Sequence, residues 1–191
     1  MDDFGISPVA TPGAVAIVRE GCSIRVTQDL SLVSLAARRQ PTAVKALGEA
    51  MGGELPDVGK SATLDGRLIS WVGHNQWFVR STGLGPTELA TQIAEQVGEH
   101  GYVTDQSHGW IEIEASGPAT RSVLERLCTL DLDATVFPSG STARTTAEHL
   151  GLQVTCLDDE QSVFLLSSAS SSGASLWHAV SVAQESVCGS T

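Results

Sequence analysis

At 191 residues the chain has room for one domain or two small ones, enough to bury roughly 70% of its unfolded surface without a metal or disulfide to help. Its 22 acids outnumber its 11 lysines and arginines and leave a net charge of −11. Binding to phosphate needs cations, so nucleic acid and anionic membrane surfaces are excluded as expected partners. No apolar run approaches the ~20 residues of a membrane span.

The first stretch, "MDDFGISPVATPG", opens with two acids where a signal peptide carries positive charge, so export is not expected. Residues 1–22 lack periodicity, and residues 1–29 read as an extended N-terminal arm, with order starting near Leu30. "LSLVSLAAR" alternates as a strand does, and "QPTAVKALGEAMGGELP" follows as a helix, with Pro41 in its first turn and Gly52-Gly53 as its stop. "RLISWVG" and "QWFVRS" are short strands rich in β-branched and aromatic residues, joined by a turn at Gly73-His74-Asn75. "GPTELATQIAEQVGEHG" is a helix with Leu89, Ile93 and Val97 four apart, and "YVTDQS" is a closing strand.

That order is β-α-β-β-α-β, the split β-α-β of ferredoxin-like units. The second half repeats it. "WIEIEAS" alternates, "GPATRSVLERLC" is helical, "LGLQVTCLD" and "SVFLLSS" are strands, and "GASLWHAVSVAQE" is a final helix. A shift of 85 residues lays Gly66 on Gly151, Ile69 on Val154, Gln76 on Gln161 and Phe78 on Val163. A shift of 77 lays Pro41 on Pro118 and Leu47 on Leu124. The expected fold is α+β, two ferredoxin-like repeats (30–107 and 108–186) packed as one body, with a frayed tail from 187.

Asp105, Ser107 and His108 in "DQSHG" are the residue types of a hydrolase triad. Triads draw on residues far apart in sequence, because one tight turn rarely aligns nucleophile and base. On a strand Asp105 and Ser107 share one face and His108 the other, and no Gly-x-Ser-x-Gly elbow is present. Turn hydrogen bonding is the better reading, so no catalytic residue is assigned. "LDDEQS", with Asp158, Asp159 and Glu160, reads as a hairpin loop.

No glycine-rich nucleotide fingerprint occurs. Cys22, Cys128, Cys156 and Cys188 show no metal-ligand spacing. His74, His100, His149 and His178 stand apart, so neither a metal nor a cofactor site is assigned. Unpaired cysteines point to a reducing cytoplasm. Trp71 and Trp77, six apart across a turn, are expected on one face and in the core. Partner contacts are expected at the His74-Asn75 tip and the N-terminal arm.

Four stretches in order resemble the γ subunit of heterotetrameric sarcosine oxidase: "ELP" at 54–56, "WVGHNQWFV" at 71–79, "VTDQSHGWIEIEASGP" at 103–118 and "LCTLDLDATVFPSGSTARTT" at 127–146. The N-terminal arm matches loosely, through Ser7-Pro8. Those subunits share the fold of the folate-binding part of the glycine-cleavage aminomethyltransferase. The resemblance implies a non-catalytic subunit beside larger α and β subunits and a small δ subunit. The whole complex would carry FAD, FMN, NAD and zinc, use tetrahydrofolate, and oxidatively demethylate sarcosine to glycine. Alternatives are a subunit of a related heterotetramer acting on another N-methyl or secondary amino acid, a free-standing folate-binding protein, and a metabolite-sensing module.

Overall fold

A computed structural model describes residues 16–27 and 30–189. Two antiparallel sheets stand face to face, each backed by two helices, giving the layer order helices, sheet, sheet, helices. The elements are β1 (Ala16–Arg19), β2 (Cys22–Val26), β3 (Ser31–Ala37), α1 (Ala43–Ala50), β4 (Ser61–Leu64), β5 (Arg67–Gly73), β6 (Gln76–Ser81), α2 (Pro86–Val97) and β7 (Gly101–Asp105). They continue with β8 (Trp110–Ser116), α3 (Thr120–Leu124), β9 (Thr142–Ala147), β10 (Leu150–Asp158), β11 (Val163–Ala169) and α4 (Gly173–Cys188).

The first sheet runs β4-β5-β6-β3-β7 and the second β1-β2-β8-β11-β10-β9. Position by position they correspond: β4 to β9, β5 to β10, β6 to β11 and β3 to β8. In each, a hairpin strand sits between the two strands that a helix connects, which is the split β-α-β arrangement. The expected α+β duplication is therefore visible as sheet order. The fifth position breaks the symmetry. In the first sheet β7, which follows α2, pairs with β3; in the second, the same place beside β8 is taken by β2, from the other end of the chain.

That substitution corrects the expected start of order near Leu30. Residues 16–26 form a hairpin joined to the second sheet, with Ile24 opposite Ala115 and Val26 opposite Ile113. Period-two patterning was present in "CSIRV", where Cys22, Ile24 and Val26 are buried on one face, but a five-residue strand with a polar flank carries little signal alone. α4 also continues through Cys188, past the expected start of the tail at 187. Residues 1–15, with the Ser7-Pro8 match and most of the expected arm, lie outside the described residues.

The edge strand β4 was not expected. Its hairpin with β5 turns at Asp65-Gly66, both at positive φ (50° and 75°), the backbone a two-residue turn requires and Asp-Gly supplies cheaply. β9 begins within the stretch at 127–146 that carries the resemblance. The edges β4 and β9 meet through an isolated bridge between Lys60 and Ser141, with Ser61 N–H donating to the Gly140 carbonyl and Thr142 N–H to that of Gly59.

Each unit has its own apolar core on the helix side of its sheet. Leu47 of α1, Leu89, Ile93 and Val97 of α2, and Val33, Ile69 and Val79 of the sheet make the first. Val123 and Leu124 of α3, Leu176 and Val180 of α4, and Ile113, Val154, Phe164 and Leu166 make the second. Leu47 and Leu124, matched by the shift of 77, are both fully buried, each removal from water stabilising by roughly 1.5–3 kcal/mol. α3 is much shorter than expected, ending at Leu124 and unwinding through turns to Cys128. Gly117 precedes it at φ 117°, and a Cβ there would sit 2.6 Å from the Gly21 carbonyl oxygen. The glycine in "SGP" thus lets the β1–β2 turn close onto the second unit, where Ala119 N–H donates to Gly21.

Candidate functional site at the junction of the two units

The "DQSHG" stretch links the end of β7 to the start of β8. Asp105 Oδ1 accepts the Ser107 N–H at 2.9 Å, closing a turn in which the side chain imitates a backbone acceptor. Ser107 is buried. Its hydroxyl accepts the Leu32 N–H at 3.0 Å and donates to the Leu32 carbonyl at 3.3 Å. Gln106 N–H also donates to Leu32, Gly109 N–H to Gln106, and Ser170 N–H to Gly109. His108 is exposed and bonds neither Asp105 nor Ser107. The serine oxygen is thus occupied by backbone groups of β3 on both its donor and acceptor sides. What the sequence offers as a nucleophile is a peg holding the repeat junction to the middle of the first sheet.

A buried ion pair lies nearby, in the seam between the sheets. Arg80 Nε of β6 meets Glu112 Oε2 of β8 at 2.6 Å, and Ser167 of β11 donates to Glu112 Oε1 at 3.2 Å. Glu112 is 3% exposed, and burial holds its carboxyl above the usual range even though Arg80 and Ser167 both favour the charged form. Alternation in "WIEIEAS" puts Glu112 on the face opposite Ile111 and Ile113, and that face, turned from the helices, is covered by the other sheet. Phe78 and Trp110 pack edge to face beside the pair, 4.8 Å between centroids. Gln153 donates across the seam to the Trp71 carbonyl and Arg144 to that of Val72. A crevice lined by Leu68, Ser70, Phe78, Gln153, Thr155 and Leu165 runs along the same seam. These groups bind one sheet to the other.

The remaining singled-out residues are dispersed. Trp71 and Trp77 are direct cross-strand partners, as expected. Trp77 is buried with its indole N–H on the Pro56 carbonyl at 2.8 Å, while Trp71 is half-buried against the same core. The Pro56 contact gives "ELP" a structural role. Asp158 accepts the Gln161 N–H, and Asp159 exchanges bonds with Ser139, so this acidic loop between β10 and β11 closes on itself and on the "PSG" turn. The Ser139 hydroxyl holds the Asp159 carboxyl below its usual range.

Burial raises the Cys22, Cys128 and Cys156 thiols, which makes them poorer nucleophiles. His149 lies in the β9–β10 turn and His178 on α4. No group of three or more His, Cys, Asp or Glu among the described residues is placed to hold a metal. No described helix is long and apolar enough to cross a membrane.

The exposed His74-Asn75 tip, expected to meet a partner, turns with Asn75 at φ 53° and lies against β3, its Asn75 carbonyl accepting the Ala37 N–H. It thereby adjoins a corner formed by Arg38, Arg39, His100 and Tyr102.

No family model matches the chain. Over 130 residues it is 32% identical to the sarcosine oxidase subunit gamma of Corynebacterium sp. (strain P-1), a match taking in 65% of this chain and 62% of that relative. The structure superposes on a chain of the heterotetrameric sarcosine oxidase from Corynebacterium sp. U-96 in complex with pyrrole 2-carboxylate with a TM-score of 0.80, covering 97% of both chains at 21% identity. The chain is therefore similar over about two thirds of its length to a sarcosine oxidase γ subunit, and it has the fold of a chain of a heterotetrameric sarcosine oxidase.

Proposed function

We propose that this chain is the γ-type subunit of a heterotetrameric sarcosine oxidase and supports assembly without performing the chemistry. The observation that carries this reading is the coincidence of sequence relationship and whole-chain fold with that oxidase. The bonding of the reactive-looking residues supports the second half, since Asp105 and Ser107 are committed to the junction. The complex would oxidise sarcosine to glycine on flavin held by a larger subunit. FAD, FMN, NAD, zinc and the tetrahydrofolate acceptor would all belong to α, β and δ partners.

The test is affinity purification of the tagged chain from its own host. The expected result is a yellow assembly with a partner of much greater mass and sarcosine-dependent peroxide formation, and a colourless, inactive chain when expressed alone. Oxidation of sarcosine by the isolated chain, or recovery of the chain without larger partners, refutes the proposal. Parallel assays on other N-methyl and secondary amino acids decide the substrate.

A further inference from the structure

Resting on that subunit reading, we propose that the open edge of β7, with Arg38, Arg39 and Tyr102, docks an extended acidic segment of a larger partner chain. Among the described residues β7 ends the first sheet and pairs with β3 alone. Arg38 N–H donates to the His100 carbonyl and Gln106 N–H to that of Leu32. By antiparallel alternation the ladder bonds to β3 therefore fall at Tyr102 and Thr104, leaving the N–H and C=O groups of Val103 and Asp105 pointing off the edge. Exposed edges of this kind are templates for strand addition, in which backbone bonds give affinity and alternate side chains give specificity.

The side chains at this edge have the chemistry of an interface. Tyr102 and Thr104 share the face turned from the helices, which the second sheet does not cover here; both are exposed, Tyr102 by 59%. Arg38 lies over the Tyr102 ring, 4.8 Å from its centroid. Tyrosine and arginine are the types most enriched where truncation costs affinity. Charge selects the occupant. The chain has twice as many acids as bases, yet no carboxylate among the described residues pairs with Arg38 or the adjacent Arg39. Arg38 Nε and His100 Nδ1 are buried without a hydrogen-bond partner among the described residues. Unpaired cations on an otherwise acidic molecule steer a negatively charged partner and repel a second copy of the same chain.

The test uses the full complex recovered through the tagged chain. Arg38→Glu/Arg39→Glu should lower co-purified partner at least about tenfold at moderate salt, the loss of roughly one hot-spot contact. Arg126→Glu, an exposed arginine elsewhere, should leave recovery unchanged. Hydrogen exchange on the wild type needs no variant: the Val103 and Asp105 amides should exchange rapidly in the free chain and be protected in the complex. Undiminished recovery with the double reversal, or protection at Val103 and Asp105 that is unchanged by assembly, overturns the docking edge while leaving the subunit reading intact. A wild-type chain that recovers no larger partner overturns the subunit reading and this inference with it.

Discussion

Arg80→Met is the sharpest test of how the two sheets are held together. It removes the guanidinium 2.6 Å from Glu112, whose side chain is 3% exposed, and leaves a carboxylate in the seam with only Ser167 for company. Unpaired buried charges cost about 3–5 kcal/mol. The carboxyl can escape by taking a proton, and moving from an ordinary glutamate value near 4.3 to pH 7 costs about 1.4 kcal/mol per unit, so the penalty is capped near ~4 kcal/mol. For 191 residues, unfolding entropy of about 2.1 cal/mol/K per residue converts this to a midpoint drop of about 10 °C.

Urea and thermal unfolding at pH 7 measure the effect directly. The loss should shrink as pH falls below the unfolded value near 4.3, because protonating Glu112 removes the unpaired charge. Arg80→Met/Glu112→Gln should recover at least half of it, because no charge remains. An Arg80→Met variant within about 1 kcal/mol of wild type at pH 7 would refute the account, as would a double variant no better than the single.

Glu112→Gln tests the sign of the titration. Because burial raises the folded-state value, this carboxyl's contribution is full below the unfolded value near 4.3 and is lost as pH rises through the folded one. Wild type should therefore exceed the variant most at acid pH, by denaturant unfolding across pH. Ser107→Ala should cost about 1–3 kcal/mol by leaving the buried Leu32 amide unmatched, whereas His108→Ala should change unfolding by less than about 0.5 kcal/mol. Comparable losses for both would indicate a linked pair rather than a peg. Gly117→Ala should cost about 3 kcal/mol or more in equilibrium unfolding, given positive φ and the Gly21 carbonyl oxygen in the way. Ser139→Ala should return the Asp159 carboxyl upward towards its ordinary range in an NMR titration.

Local physics was enough for much of the fold. Spacing by four in Leu89, Ile93 and Val97, Pro86 at the start of α2, and alternation in β3 and β8 depend on contacts within one element, and sequence shows them. The Asp65-Gly66 turn, and β4 with it, is equally a local feature, since Asp-Gly between short strands is a hairpin signal. The resemblance to an oxidase subunit was likewise carried by short stretches whose roles turn out to be structural. Trp77 anchors "ELP", Ser107 pegs the junction, and Gly117 seats the β1–β2 turn.

What only the tertiary structure decided are contacts between distant segments. That β2 fills the place a closing strand would take beside β8 depends on residues about 90 positions apart meeting, as Arg25 and Glu114 do. Nothing in either strand records the other. Glu112 is the clearest case. Its sequence neighbours place it on the face away from the helices, and the first sheet, packed on that face, makes it a buried charge beside Arg80. Period two says which residues share a face of a strand; which of two faces meets water is settled by what packs there.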